Sequence, residues 1–339
     1  MQAAVYDRPR ELRLTELTDP RPGPGEVRLR VRVTGVCGTD VHLHDGEFFP
    51  VYPLTPGHEV IGEVDMIGDG AEGLAIGQLV ALDNMLTCGL CDKCRQGRPN
   101  YCRHLRALGV TDPGGFAEYL VAPAQKCYPV DDLDLDTAVL AEPVACAIHG
   151  LDILAMRPGS DVLVLGSGPS GLILTQLLRQ SGAGRLTVAA PTEAKLELAR
   201  HFGADGTVRF GRDDPDAGAA LLSEMAPEGF DIVIDATGAL GVLTSALGMV
   251  RDGGTLFVYG MADEAARLPV SPYDVFRREL TIKGSFAQRF SFDRAVRALR
   301  YGRVRSDGLI THRFALASYP QAVETVRNDR TCVKAVVQL

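Results

Sequence analysis

The chain has 339 residues, with 43 acidic against 35 basic side chains and a net charge of −8. That length exceeds the roughly 250–300 residues at which single cores stop growing, so about two domains are expected, and 46% hydrophobic with 23% charged residues is the make-up of a soluble globular protein. Scattered Lys and Arg in an acidic chain disfavour a nucleic-acid surface, which needs a basic patch; no apolar leader and no unbroken run of ~20 apolar residues is visible, so a membrane span is not expected and a cytoplasmic location is.

Residues 27–33 alternate apolar and charged side chains with period two, the pattern of a strand with one buried and one wet face. Turn formers flank it, Pro20 to Gly25 before and Gly35 and Gly38 after. Short apolar runs at 59–64 and 79–82 follow, punctuated by Gly68, Gly70, Gly73 and Gly77. Many short strands with glycine corners predict a partly open all-β barrel. From about Pro158 the pattern changes to strands at 161–165, 185–190, 230–235 and 255–259, alternating with helices at 170–181 and 193–202. Continuous apolar strands separated by helices predict an α/β, doubly wound parallel sheet. Residues 211–218, rich in Asp and Gly, read as a loose stretch. The tail carries a strand at 280–286, a helix at 292–301 and a valine-rich last strand at 332–339.

Four of the eight cysteines, Cys88, Cys91, Cys94 and Cys102, lie at metal-ligand spacing with Gly89 and Gly97 supplying turns. Four thiolates about 2.3 Å from one ion close a tetrahedral shell, so this zinc would be structural, with an iron–sulfur cluster or a redox switch as rivals. Cys127, Cys146 and Cys332 stand alone and read as buried small hydrophobes.

Gly166, Gly168, Pro169 and Gly171 follow a strand and open a helix, the context in which a glycine motif binds a dinucleotide. Gly166 permits the turn, Gly168 lets the pyrophosphate approach, Gly171 allows close helix packing, and the helix N-terminus faces the phosphates. NAD enzymes carry an acid at the end of the second strand. Here that place is aligned with Ala190. The missing acid removes repulsion against a 2′-phosphate, which Thr192 could hydrogen-bond and Lys195 neutralise. NADP(H) is therefore favoured over NAD, although no arginine adjoins Ala190 in the sequence and Glu193 is close by.

Two further blocks are Cys37-Gly38-Thr39-Asp40-Val41-His42 and Gly57-His58-Glu59. A thiolate, an imidazole and a carboxylate make three-sided zinc sites that keep a position for water or substrate. With the cysteine cluster and the glycine motif, in this order, the chain resembles the zinc-dependent medium-chain alcohol dehydrogenases of the polyol (sorbitol or arabitol) type, over essentially its whole length. Where the ethanol type has a third cysteine ligand, this chain reads Ala141-Glu142-Pro143.

The resemblance implies a GroES-like catalytic domain at 1–150 with a structural zinc lobe, a Rossmann domain at 151–284, and a tail at 285–339 that returns to the catalytic domain. It implies two zinc ions per chain, the catalytic one held by Cys37 and His58 with both Glu59 and Glu142 approaching. Which carboxylate is bound at rest stays open. A bound alcohol becomes acidic on such an ion, and its proton would leave by a relay from the Thr39 hydroxyl through the nicotinamide ribose to His42. The implied activity is interconversion of a secondary alcohol, a sugar alcohol above all, and its ketone, in a homodimer or homotetramer built through the nucleotide domain. A threonine-type dehydrogenase shares Cys-Gly-Thr-Asp-x-His and is the alternative substrate class; a cofactor-binding sensor without turnover is the non-enzymatic one. Near the relay stand His44, Glu47, Phe48 and Phe49. Phe286-Ala287-Gln288 resembles arabitol-like members, whereas the sorbitol type has an arginine where Ala287 stands, and the nearest arginine here is Arg289.

Overall fold

The computed structural model describes residues 1–210 and 215–339, which divide into two compact units, one of Met1–Ala145 with Arg289–Leu339 and one of Cys146–Gln288. The first unit is organised on one long strand, Glu26–Val36. Val27, Leu29, Val31 and Val33 are buried, while Arg28 and Arg30 point outward to Asp65 and Arg32 to Glu63, so the period-two pattern resolves as one core face and one wet face.

One edge of this strand is taken antiparallel by Glu59–Ile67. The other edge is shared. Tyr119–Pro123 pairs with its first half, and Lys334–Gln338, almost 300 residues further along, with its second. Leu79–Leu82 and Cys127–Pro129 extend the sheet on one side and Ile310–Ala315 on the other, giving seven strands. Gly35 therefore lies opposite both Glu59 and Val336, and Val36 opposite Ala335. Cys37 follows directly at the end of this three-strand convergence.

The second unit is a parallel six-stranded sheet in the order Gly206–Arg209, Arg185–Ala190, Asp161–Leu165, Phe230–Asp235, Val250–Val258, Thr281–Gly284. The first strand in sequence lies in the middle, so the chain winds outward twice, the doubly wound arrangement. Leu163, Leu165, Val233 and Leu256 from the strands pack with Leu243 and Ala246 from the helix Leu240–Met249. The strand Val250–Val258 starts earlier than the pattern indicates because residues 251–254 are taken up as a bulge: Phe230 pairs with Val250 but Ile232 with Thr255, and Gly253 has φ +74°. A Gly-Gly pair reads as a turn in sequence, and here it is the bulge.

The first four residues of the stretch read as loose, 211–218, lie outside the described residues, and a helix, Pro215–Met225, begins at the fifth. The stretch Leu135–Leu154 is long and apolar enough to span a bilayer, yet 61% of its most apolar window is buried within the protein and it carries Glu142, His149 and Asp152. It is a core element.

Candidate active site

Cys37 stands at the N-cap of the helix Gly38–Asp45. Its backbone N–H donates to Asp40 Oδ2 at 2.8 Å, and its sulfur lies 3.6 Å from Thr39 Oγ1. Asp40 is fully buried. Its other oxygen, Oδ1, is 3.8 Å from Nδ1 of the buried His58, and neither of these two atoms makes a hydrogen bond. One carboxylate thus holds the backbone of Cys37 by a hydrogen bond and stands beside the ring of His58 as a nearby negative charge.

His58 follows Gly57, whose φ of +102° and close approach to the Phe116 backbone N, 2.8 Å from where a Cβ would stand, leave room for no other residue. Glu59 opens its strand opposite Gly35, and a Cβ on Gly35 would fall 1.8 Å from Glu59 Oε2. That same oxygen is paired with the ammonium of Lys334, and both side chains are essentially solvent-free. Lys334 also donates to the Val36 carbonyl at 3.3 Å.

The donor atoms of Cys37, His58 and Glu59 lie within 4.8 Å of one another. Glu142, in the first turn of the helix Ala141–Leu154, is not in that close set, but its charge reaches both His58 and Lys334. Burial depresses the His58 imidazole, yet Asp40, Cys37 and Glu142 outweigh it and hold the ring protonated up to about 10. Burial likewise works against the Lys334 ammonium, and Glu59 and Cys37 more than compensate. Desolvation pushes Asp40 up to about 6. Asp40, His58, Glu59 and Lys334 are buried and Cys37 and Glu142 half-buried, and a thiol, an imidazole and a carboxylate suited to one zinc ion converge among them. The residues fit the metal.

Thr39 and His42 are three positions apart on the helix Gly38–Asp45 and so share a face. His42 Nδ1 is 2.5 Å from Glu47 Oε2. Cys146 is not among the close donors, as its position relative to Glu142 indicates.

In the cysteine lobe, Sγ–Sγ distances are 3.6 Å for Cys91–Cys94, 3.9 Å for Cys91–Cys102 and 3.5 Å for Cys88–Cys102. Sulfurs about 2.3 Å from a common centre at tetrahedral corners stand about 3.8 Å apart, so the cage has the size of a zinc ion. Gly89 and Gly97 have φ of +66° and +72°, and the backbone N–H groups of Cys91 and His104 donate to Cys88 and Cys102 sulfurs. Backbone hydrogen bonds from Arg103 and Cys94 pull the Cys91 thiol down to about 6, which favours the thiolate a metal needs. Cys94→Ser is expected to cost one zinc equivalent and loosen this lobe while Cys37 and His58 keep theirs. Metal analysis checks this: a variant that retains two equivalents per chain contradicts the assignment.

In the nucleotide unit, Gly168 is the N-cap and Pro169 the first residue of the helix Pro169–Gln180. Gly166 has φ +109°, and a Cβ on Gly171 would fall 2.0 Å from the Gly166 carbonyl, whereas one on Gly168 would meet nothing. Two glycines are required by the backbone; the third leaves open space before a helix N-terminus. Ala190 ends its strand, Thr192 is the N-cap of the helix Glu193–His201 without a capping hydrogen bond, and Lys195 lies in that helix's first turn. Arg209, on the neighbouring strand, is in register with Ala190. Asp235 accepts from the Thr237 and Gly238 backbone and fixes the turn beside Gly166.

Residues 23–132 match the alcohol dehydrogenase GroES-like domain and residues 169–300 the zinc-binding dehydrogenase domain. Over all 339 residues the chain is 42% identical to D-arabinitol dehydrogenase 1 of Uromyces fabae, covering 97% of that protein. The chain belongs to the zinc-dependent medium-chain alcohol dehydrogenases. This dehydrogenase is also 34% identical to D-altritol 5-dehydrogenase of Agrobacterium fabrum, across 90% of the chain and 89% of the relative. Among solved structures, a zinc-binding dehydrogenase from Sinorhizobium meliloti bound to NADP superimposes with a TM-score of 0.92 at 32% identity, covering 100% of this chain and 99% of that one. An alcohol dehydrogenase from E. coli CFT073 complexed with NADH gives 0.91 at 28% identity, with the same coverage. The dehydrogenase is thus an α/β protein with a Rossmann-type sheet and a separate GroES-like domain, and its family uses zinc and a nicotinamide cofactor.

Three groups at the dehydrogenase's site were not singled out from sequence. Lys334 carried a signal, a lone charge inside the apolar run 332–337. Asp40 stands within the motif and Glu47 just after it, neither with a role assigned from sequence, and they contact Cys37 and His42.

Proposed function

We propose that this dehydrogenase oxidises a secondary hydroxyl of a sugar alcohol to a ketone, and reduces it in reverse, with NADP(H). The convergence of Cys37, His58 and Glu59 carries the reading. These side chains, with Glu142 at hand, would hold a zinc ion, whose Lewis acidity would make a neighbouring hydroxyl acidic near pH 7. Asp40 and Lys334 hold the donors in place, Thr39 offers a hydroxyl that can accept and donate a proton, and His42 passes the proton outward. The 42% identity to a D-arabinitol dehydrogenase over the full length favours a pentitol, and Ala287 in place of an arginine favours it over sorbitol. A panel of pentitols, hexitols and L-threonine, followed by nicotinamide absorbance, tests this. Threonine giving the highest kcat/KM would replace the reading with the amino-alcohol one.

NADP(H) is supported by Ala190 at the acid's usual place and by Arg209 beside it. The nearby acid, Glu193, is paired with Arg200 at 2.9 Å. Ala190→Asp is expected to lower kcat/KM for NADP at least about tenfold, by like-charge repulsion, and to raise it for NAD. A wild-type enzyme preferring NAD tenfold overturns the cofactor reading.

Assembly through the nucleotide unit is supported by its edge strand Thr281–Gly284, which has a neighbour on one side only. Ile282 on that strand is exposed, as are Tyr273 and Phe276 on the helix Pro272–Arg277. An unpaired edge flanked by aromatics suits pairing with a second copy; a monomer in sedimentation at micromolar concentration would refute it. None of the eight cysteines is in a disulfide, which suits a reducing, cytoplasmic compartment, and fractionation would check this.

A further inference from the structure

We propose that Glu47 is the positioning residue of the proton exit, fixing His42 as the Nδ1–H tautomer so that Nε2 is the nitrogen that takes the proton. The inference rests on the relay reading of His42 given above and extends it to a residue outside the ligand and relay sets.

The helix Gly38–Asp45 ends on Gly46 at φ +89°, with the Gly46 N–H on the Leu43 carbonyl at 3.1 Å and the Glu47 N–H on the His42 carbonyl at 2.9 Å. These are the two bonds of a Schellman cap, and in such a cap the side chains of the residues now occupied by His42 and Glu47 are brought together. That contact is ordinarily apolar; here it is an imidazole against a carboxylate, Nδ1 to Oε2 at 2.5 Å. Gly46 cannot be exchanged without moving the pair, since a Cβ there would lie 2.7 Å from Pro9 Cγ. Phe48 and Phe49 continue the loop at φ +67° and +48°, a left-handed course that side-chain-bearing residues rarely take.

The neighbouring charges are otherwise engaged. Asp45 binds Arg10 and Arg327, His44 bonds the Tyr6 hydroxyl, and the field of Glu324 falls on His44. Glu47 is the carboxylate on the His42 ring.

A carboxylate only accepts, so the hydrogen between the two groups resides on Nδ1 and the lone pair on Nε2. The proton balance follows. One proton leaves the alcohol and arrives at Nε2, giving an imidazolium held by the ionised Glu47; the hydride goes to the nicotinamide; the ring then releases the Nε2 proton to water. Glu47 serves as acceptor to Nδ1–H throughout, the part that the carboxylate behind a catalytic histidine plays elsewhere.

Glu47→Gln keeps the shape, and its amide can turn to donate to Nδ1, leaving Nε2–H, the wrong tautomer for accepting. Glu47→Ala frees the ring. In zinc-loaded full-length enzyme, kcat for alcohol oxidation is expected to fall about ten- to a hundredfold in both variants with KM little changed. Added imidazole should restore part of the loss, and nitrogen-15 NMR of labelled histidine, assigned with His42→Ala, should show the His42 ring moving from Nδ1–H to Nε2–H. Unchanged kcat and an unchanged His42 tautomer in Glu47→Gln, alongside a slow, imidazole-rescued His42→Ala, would overturn this inference alone. Wild-type kcat in His42→Ala would overturn the relay reading, and the inference with it.

Discussion

Cys37→Ala is expected to remove one of the two zinc equivalents per chain and to lower kcat/KM for alcohol oxidation by about a thousandfold or more. A metal ion's stabilisation of developing charge is worth several kcal/mol, and about 4 kcal/mol is three decades in rate. The sulfur is one of three donors within 4.8 Å, and its loss leaves an imidazole and a carboxylate already engaged by Lys334. The backbone half of the capping box survives, because it runs from the Cys37 N–H to Asp40, and only the half made by the sulfur is lost. The loss should therefore read on metal content and turnover, with the melting temperature falling no further than that of the zinc-stripped wild type. A Cys37→Ala enzyme with a single zinc and full activity would move the chemistry elsewhere.

Lys334→Ala should be the most destabilising single change at the site. It strands the Glu59 carboxylate, 1% exposed, without its counter-charge, and breaking a buried ion pair from one side costs about 3–5 kcal/mol. Denaturant unfolding of the first unit would show it as a lower midpoint. Pairing Lys334→Met with Glu59→Gln should recover much of the loss, since two neutral groups leave no charge buried. Recovery of stability without recovery of turnover would show that Glu59 serves the metal as well as the fold. A Lys334→Ala protein as stable as wild type would mean that the pair contributes nothing to the folded state.

Much of this site could be read one residue at a time. Gly166, Gly168 and Gly171 are separated by a helical turn or less, so backbone sterics write their spacing directly into the sequence. The cysteine lobe is equally local, with Cys88 and Cys102 fourteen residues apart and glycines at the turns. The alternation of residues 27–33 fixed a strand and its inner face. What local pattern could not supply was partnership across the chain. Lys334 meets Glu59 because the strand Lys334–Gln338 pairs with the second half of Glu26–Val36, a register set by the whole sheet. Arg209 stands beside Ala190 for the same reason: parallel strands joined through a helix bring together residues that no sequence neighbourhood connects. Glu47 is a different case. It is only five residues from His42, but at that spacing two side chains meet only if the helix stops between them, and Gly46 gave the hint. A helix start shifted by one residue where a cap took over from periodicity, at Pro169, and a strand start moved from 255 back to Val250 where the bulge at Gly253 did.

The strand Lys334–Gln338 has a bearing on biogenesis. Its Lys334 ammonium reaches Glu59 only after this strand, from the far end of the chain, has docked on Glu26–Val36, and long-range pairings form late because loop closure costs entropy before the contact rewards it. Zinc uptake on refolding should accordingly have two phases, the local cysteine lobe filling before the donors that this strand gathers.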